Sequence, residues 1–373
     1  MTAVVPTDLV DCPMLATVTD FPTDYWNDSC AIAELEYAVA RGATGATSNP
    51  GIVLEVLRKE HGHWEPWLRA LAEANGSWTE DDLTWALVEA MAVRGARVLD
   101  PVFRETGGRK GRLSIQTDPR NHRNTGRMLE QGRRFAALAP NLQVKFPATK
   151  AGLVAIEQAT AAGVSINATV SFTVSQAIAV GEAVERGLDA FAAAGGDPTS
   201  LAPVCTIMVG RLDDWLRAIV ERDGVAVDPD ALDWAGIATF KRAVELYRER
   251  GFRTRLLAAA YRHRLHWTEL VGGDVVLTMP HAWQLRFNAS GIAPVSRIDE
   301  PVEPRHVAEL EARLPDFGRA YAADGLSPDE FDTFGATVRT LRSFIRSYHD
   351  LTGAVRDVVM PDPDVRPAAG APR

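Results

Sequence analysis

A lysine inside a short apolar run is the residue of this chain best suited to covalent chemistry. Lys145 stands within residues 142–149, where Val144 and Phe146 flank it and Pro147 ends the run. This alternation predicts a β-strand. Burial disfavours the charged form of an amine, and a neutral amine attacks a carbonyl carbon to form a Schiff base. The alternative is a lysine that snorkels from the strand end to solvent, and the local spacing alone favours that alternative.

The segments that would position Lys145 alternate between strand-like and helix-like patterns. Eight strands alternating with helices predict one α/β domain, a single (β/α)8 TIM barrel with extra helices, rather than two domains. We expect an N-terminal lead-in at residues 1–13, the barrel at 14–355 with a helical insert at 51–112 and C-terminal helices, and a flexible tail at 356–373. The predicted strands are residues 15–20, 42–47, 113–117, 142–149, 163–169, 203–209, 254–259 and 274–279.

Polar residues recur where the predicted strands end. Chemistry in such a barrel gathers in the loops that follow the strands, and an apolar interior has no structural need for many polar groups at one end. Their convergence favours a catalytic Lys145 over a solvent-facing one. The polar residues in question are Asp20, Asn49, Gln116, Lys145, Asn167, Thr169, Thr206, Arg211 and Arg262.

Composition restricts the possible partners. The 373 residues carry 40 Lys and Arg against 49 Asp and Glu, a net charge of −9, which argues against nucleic acid or a membrane surface but not against a small anionic substrate. Cys12, Cys30 and Cys205 are scattered, which suits a reducing cytoplasm, and we see no signal peptide or membrane-length apolar run. His61 and His63 have no carboxylate or cysteine cluster beside them, so we expect a surface position and no metal site.

Several segments together resemble the transaldolase family, which includes the fructose 6-phosphate aldolases. Residues 45–52 (GATSNPGI) are similar to that family's A-T-T-N-P-S-L, and residues 144–152 (VKFPATKAG) resemble the segment around its Schiff-base lysine. Residues 163–176 (GVSINATVSFTVSQ) are similar to its N-x-T strand, and residues 209–215 (VGRLDDW) to its V-G-R-I-x-D-W. The segments occur in the family's order, and the resemblance as a whole covers nearly the whole chain.

The resemblance implies a reaction. A dihydroxyacetone unit would pass from a ketose phosphate to an aldose phosphate through a Schiff base on Lys145, in the pentose phosphate pathway or related sugar metabolism. No cofactor would be needed, because the iminium is the electron sink. By the same resemblance Asp20 is the acid/base that acts on the C4 hydroxyl; the less favoured alternative is a capping or turn carboxylate.

The resemblance also assigns binding roles. Asn49 and Asn167 would hold hydroxyls of the three-carbon unit, although asparagines in turns or satisfied core amides are the alternative. Thr169 would hold a catalytic water, or would simply favour a strand. The remaining implied ligands are Thr206, where the family has a serine, and two phosphate-binding arginines, Arg211 and Arg262. We interpret Arg264 and the histidines near it as a solvated helix face.

Two positions depart from the family pattern. Gln116 falls where transaldolases carry a proton-shuttling glutamate and the related aldolases carry glutamine; an amide orients water but does not titrate. Met208 replaces the phenylalanine of transaldolases and the tyrosine of the aldolases. Asp118 could carry the proton instead, although a turn residue before Pro119 is the preferred interpretation.

The departures leave alternatives to a transaldolase-type transferase. One is a lyase of the fructose 6-phosphate aldolase type, and another is a catalytically silent sugar-phosphate binding protein. The long insert and the C-terminal helices favour the transferase, because the small aldolases are much shorter. We expect a monomer or homodimer that acts on sugar phosphates.

Overall fold

Eight parallel strands close into one barrel, as the sequence predicts. The computed structural model describes residues 12–364, and each strand pairs with the next along the chain until the eighth pairs with the first. The strands are β1 (Asp24–Asn27), β2 (Gly45–Thr47), β3 (Arg112–Gln116), β4 (Leu142–Pro147), β5 (Ile166–Ser171), β6 (Val204–Ile207), β7 (Arg255–Ala258) and β8 (Val276–Met279).

Sixteen α-helices among residues 12–364 precede, connect or follow the strands. They are α1 (Pro13–Thr19), α2 (Ile32–Val39), α3 (Pro50–Lys59), α4 (His61–Ala74), α5 (Glu80–Glu105), α6 (Thr125–Ala136), α7 (Lys150–Ala161), α8 (Val174–Ala193), α9 (Val209–Asp223), α10 (Pro229–Leu232), α11 (Ala235–Arg250), α12 (Leu265–Thr268), α13 (His281–Asn288), α14 (Pro304–Arg313), α15 (Pro315–Tyr321) and α16 (Gly335–Val359). Helices α3, α4 and α5 form the predicted insert between β2 and β3. None of the helices within residues 12–364 has the length and apolar character to span a bilayer.

The turn that follows β4 needs glycine. Thr149 caps α7 by accepting a hydrogen bond from the backbone N–H of Gly152 (3.0 Å). A Cβ at Gly152 would lie only 1.8 Å from the carbonyl oxygen of Pro147, so a side chain there would collide with the end of the strand. The tight turn therefore fixes the direction in which the Lys145 strand leaves the barrel.

Helix α16 packs beside the open end of the barrel, against α3, α4, α5 and α9. The rings of Trp85 on α5 and Tyr348 on α16 stack with their centroids 5.4 Å apart. Phe344, also on α16, lies under the guanidinium of Arg211, 5.0 Å from its carbon. The C-terminal helix thus reaches both the insert and the strand ends where polar residues gather.

The prediction of a strand at residues 15–20 is wrong. Pro13 occupies the first position of α1, where its missing N–H costs nothing. Thr17 lies on the buried face of this helix and accepts a hydrogen bond from the indole N–H of Trp267 (3.1 Å). The first strand is instead residues 24–27, which lie outside the predicted strands.

The predicted end regions are only partly covered by the described residues. Residues 1–11 of the lead-in and 365–373 of the tail lie outside them. The prediction of a flexible tail from residue 356 is wrong for residues 356–359, which form the last turn of α16.

Candidate active site

Lys145 lies in a cavity of about 140 Å³ at the carboxyl ends of the strands. Its side chain is only 5% exposed, and Nζ donates a hydrogen bond to the carbonyl oxygen of Ser48 (3.2 Å). Burial lowers the pKa of Lys145 to about 8. The positive charge of Arg211 adds to this lowering, whereas the negative charge of Asp28 partly opposes it. The solvent-facing alternative does not hold, because the side chain is buried and its amine lines the cavity.

The cavity contains a carboxylate that the sequence analysis missed. Asp28 directly follows β1, and its Oδ1 accepts a hydrogen bond from the Thr47 hydroxyl (2.5 Å). Because the Thr47 hydroxyl donates to Asp28, the Thr278 hydroxyl 2.8 Å away must donate to Thr47. Two threonines on β2 and β8 therefore hold this carboxylate in the same cavity as the Lys145 amine. The signal in the sequence was its place one residue after a strand, which was obscured by the wrong choice of first strand.

Asp20 lies at the opposite end of the barrel, so the structure does not bring it to Lys145. It is the exposed C-cap residue of α1, where its carboxylate accepts a hydrogen bond from Thr19 (2.9 Å). It precedes the first residue of β1, Asp24, which pairs with Arg255 at the start of β7. Placing Asp20 in the site followed from the wrong strand assignment, and Asp28 occupies the position that Asp20 was predicted to fill.

Two buried oxygen atoms without partners flank the lysine strand. Gln116 ends β3 and is the register partner of Lys145, whereas Thr169 lies on β5 and lines the cavity. Neither Gln116 Oε1 nor Thr169 Oγ1 has a hydrogen-bond partner among the described residues. Leaving such atoms unsatisfied costs about 1–3 kcal/mol each, and of the two only Thr169 lines the cavity, where a water or a substrate hydroxyl can reach it.

Thr169 borders a strained segment of β5. Val170 has φ of +55°, a left-handed conformation that is unfavourable for a β-branched residue, and the pairing of β5 with β6 shifts register between Ala168 and Ser171. Strain of this kind persists only where the surrounding fold enforces it and often marks a site.

The two predicted asparagine ligands differ in their availability. Asn49 lines the cavity and caps α3, with Oδ1 accepting from the N–H groups of Gly51 (2.9 Å) and Ile52 (3.1 Å). Its amide nitrogen is left as a donor. Asn167 is buried outside the cavity lining, and both ends of its amide are engaged: Oδ1 accepts from the Thr206 hydroxyl (2.7 Å) and Nδ2 donates to the Ser114 hydroxyl (3.0 Å). Asn167 therefore positions the Thr206 hydroxyl, and Thr206 lines the cavity whereas Asn167 does not.

Arg211 is the cation best placed to bind an anion in the cavity. Burial and the neighbouring charge of Arg262 lower the pKa of Arg211, which indicates that nearby carboxylates do not compensate its charge fully. Gly210 makes this position possible, since a Cβ there would lie 1.8 Å from the carbonyl oxygen of Ala260. The Arg211 side chain packs on the Phe344 ring and forms no ion pair with any residue between 12 and 364.

Arg262 also reaches the cavity, but it is already paired. Its Nε and Nη2 donate to the carboxylate of Asp214, at 3.0 and 2.7 Å, and its Nη1 donates to the carbonyl oxygen of Tyr261 (3.0 Å). It follows Ala260, which has φ of +69°. Nη1 also donates to the carbonyl oxygen of Ala260 (3.2 Å), so among residues 12–364 only one Nη2 hydrogen of Arg262 is left without an acceptor for an anion bound by Arg211.

A buried carboxylate–imidazole pair lies behind the two arginines. The backbone N–H of Arg262 donates to His266 Nδ1 (3.1 Å), so Nε2 carries the proton and donates to Asp213 Oδ2 (2.8 Å). Asp213 Oδ1 also accepts from the N–H of Gly236 (2.8 Å). The interpretation of the histidines as solvated is wrong for His266, which is fully buried. The cause is that residues 265–268 form only one helical turn, packed inward.

The same pair could be mistaken for a metal site, because His263 lies beside it. The ligand-type atoms of Asp213, His263 and His266 all lie within 4.8 Å of one another. A metal on His266 Nε2 would force the ring proton onto Nδ1. Nδ1 already accepts a hydrogen bond from the backbone N–H of Arg262, so two hydrogens would then face each other. With the proton on Nε2 instead, His266 links the Asp213 carboxylate to the backbone of Arg262 and so holds the loop that contains Arg262. His61 and His63 are exposed, as expected.

We expect stability to fall as the pH is lowered below about 6.5. Burial lowers the pKa of His266, and although burial raises the pKa of Asp213, the neighbouring His263 ring and the hydrogen bond from His266 lower it overall. Below about pH 6.5 the unfolded chain therefore binds more protons at His266, so the free energy of unfolding must increase with pH in this window, and Asp213 adds the same effect only below about pH 5. Chemical denaturation at pH 5.0 and 7.5 measures this, and His266→Gln should reduce the difference. An unchanged difference would contradict the assignment to His266.

Comparison with known proteins gives a consistent set of matches. The family described as Transaldolase/Fructose-6-phosphate aldolase matches residues 25–341. The transaldolase of Mycobacterium ulcerans (strain Agy99) is 31% identical over 298 residues, which cover 72% of this chain and 79% of that protein. The transaldolase of Parafrankia sp. (strain EAN1pec) is 29% identical over 341 residues, covering 84% and 91%. Transaldolase 1 of Streptomyces avermitilis is 32% identical over 268 residues, covering 66% and 70%.

Proposed function

Since the chain belongs to the transaldolase/fructose-6-phosphate aldolase family and is an enzyme, we propose that it transfers a dihydroxyacetone unit between sugar phosphates through a Schiff base on Lys145. The observation that carries this proposal is the buried amine of Lys145, with its lowered pKa, in one cavity with Asp28 and Arg211. A nucleophile, an acid/base and a phosphate ligand are the groups that this reaction requires.

The covalent steps follow from this arrangement. The neutral Lys145 amine attacks C2 of a ketose phosphate, and loss of water from the carbinolamine gives an iminium. Asp28 takes the proton of the C4 hydroxyl as the C3–C4 bond breaks, and the bonding electrons pass into the iminium to form an enamine. The first aldose phosphate leaves. The enamine then attacks the carbonyl carbon of a second aldose phosphate while Asp28 returns the proton to the new C4 hydroxyl, and water hydrolyses the regenerated iminium to release the product ketose phosphate and the free Lys145 amine.

The remaining residues hold the reactants. The Asn49 amide nitrogen donates to a hydroxyl of the three-carbon unit, and Arg211 binds the substrate phosphate with Arg262 beside it. Gln116 and Thr169 orient the water that enters and leaves during Schiff-base formation, which gives their unpartnered oxygens a use. Since Gln116 cannot titrate, the proton of that water must pass to Asp28 or to solvent.

Reductive trapping tests the Schiff base. Borohydride added with fructose 6-phosphate should leave one stable adduct, and peptide mapping by mass spectrometry should place it on Lys145. The same treatment without sugar is the control. Absence of an adduct with each of several ketose phosphates would exclude the proposal and leave a silent binding protein as the better account.

A second candidate function is cleavage without transfer, and Gln116 favours it because the related aldolases carry glutamine at that position. The two reactions differ in the fate of the three-carbon unit. We expect slow release of free dihydroxyacetone from fructose 6-phosphate alone and much faster turnover once an aldose phosphate acceptor is added. Rapid release without an acceptor would identify the enzyme as a lyase.

A further inference from the structure

The cavity around Lys145 is too small to enclose a whole sugar phosphate. Its volume of about 140 Å³ is below the roughly 300–1,000 Å³ of most small-molecule sites. The part of a substrate that lies beyond the reacting carbons must therefore extend out of the cavity. Arg211 marks the direction, because it lines both this cavity and a neighbouring groove of about 680 Å³.

The groove lies between α9 and α16, and one of its walls is strongly cationic. Arg339, Arg342 and Arg346 line it at a spacing of i, i+3 and i+7, which puts them on one face of α16. From the helical rise, the first and last are about 10 Å apart along the axis. The groove therefore continues from Arg211 along a row of guanidinium groups.

None of these three arginines pairs with a carboxylate among residues 12–364. Arg342 and Arg346 form no hydrogen bond or ion pair with residues 12–364, and Arg339 donates only to the backbone carbonyl of Asp214 (2.9 Å). By contrast, Arg356 at the far end of the same helix pairs with Glu80. In a chain with a net charge of −9, uncompensated cations beside the cavity point to an anionic ligand.

We propose that this groove binds a second phosphoryl group, so that the substrate has a diphosphate or a further phosphate beyond the one on Arg211. This inference rests on the proposed function, because the proposed reaction puts the substrate's first phosphate at Arg211. A guanidinium fork matches phosphate oxygens, and the Ser343 hydroxyl adds a donor within the groove. A monophosphate would leave the α16 arginines unused.

Inorganic phosphate and pyrophosphate are suitable probes, compared by calorimetry at 0.15 M salt without divalent cations. We expect pyrophosphate to bind at least about tenfold more tightly than phosphate, the scale of one charge-assisted hydrogen bond. The double variant Arg342→Gln/Arg346→Gln should lose that difference. Arg133→Gln, an exposed arginine in the last turn of α6, is the control and should retain it. Equal affinities in the unaltered protein, or unchanged pyrophosphate affinity in the double variant, would overturn the inference.

A separate measurement distinguishes failure of the groove from failure of the proposed function. Dihydroxyacetone is uncharged and needs no phosphate site, so borohydride trapping of this sugar on the unaltered protein reports on Lys145 alone. An adduct without preference for pyrophosphate would sustain the reaction and reject the groove. Preference for pyrophosphate that depends on Arg342 and Arg346, without an adduct, would sustain the groove and reject the Schiff base.

Discussion

Replacing Lys145 by methionine should reduce turnover of sugar phosphates on the order of 10⁶-fold, the scale seen when the nucleophile that forms a covalent intermediate is removed. Methionine keeps much of the side-chain volume in the buried position but has no amine. The borohydride adduct should disappear completely. Steady-state kinetics and mass spectrometry measure the two effects, and a preserved unfolding midpoint would show that the barrel is intact.

The pH dependence of the unaltered enzyme provides an independent check on the same residue. Because only the neutral amine attacks and the pKa of Lys145 is about 8, the rate of adduct formation should rise as the pH increases through 8 and level off above it. An ordinary exposed lysine would instead keep rising toward its usual pKa near 10.4. A rise that continues past pH 10 would contradict a desolvated amine at this position.

The second large effect is expected at Asp28. Asp28→Asn keeps the shape and an acceptor for Thr47 but removes the proton acceptor, and general acid/base groups typically contribute about 10²–10⁴-fold to the rate. We expect a loss of that size in kcat for sugar phosphates. The adduct with Lys145 should still form, because attack on the ketone precedes cleavage of the C3–C4 bond.

Asp20→Asn is the matched control, since it makes the same chemical change at the other end of the barrel. It should leave kcat within about twofold, as expected for an exposed carboxylate far from the chemistry. Asp28→Asn should also shift the pH profile of adduct formation downward, because the negative charge of Asp28 raises the pKa of Lys145. A large effect of Asp20→Asn with none of Asp28→Asn would reverse the assignment made from the structure.

The barrel and its family were predictable from the sequence because their signals are local. Alternating strand and helix patterns indicate the (β/α)8 fold, which the closed sheet confirms. The segment around Lys145 and the V-G-R segment with Arg211 resemble the transaldolase family, and the match over residues 25–341 confirms that resemblance. Glycine positions such as Gly152 and Gly210 belong to these segments because the backbone approaches there exclude any side chain.

The orientation of polar groups was less predictable, because each depends on neighbours that are distant in sequence. Asn167 on β5 was predicted to reach the substrate, yet its amide bonds to Thr206 and Ser114, and only Thr206 lines the cavity. His266 was interpreted as solvated, but Asp213 and the Arg262 backbone hold it inside the protein. The pairing of Arg262 with Asp214 likewise joins residues 48 positions apart.

The sequence by itself determined the fold class, the family and the lysine on which the proposed chemistry rests, since residue periodicity and short motifs encode them directly. Only the tertiary structure decided which carboxylate faces that lysine. Residues 15–20 have the β-branched composition of a strand, but Pro13 starts a helix there and Trp267, 250 positions away from Thr17, packs against it. Contacts of that range outweigh local propensity, and they put Asp28 rather than Asp20 at the open end of the barrel.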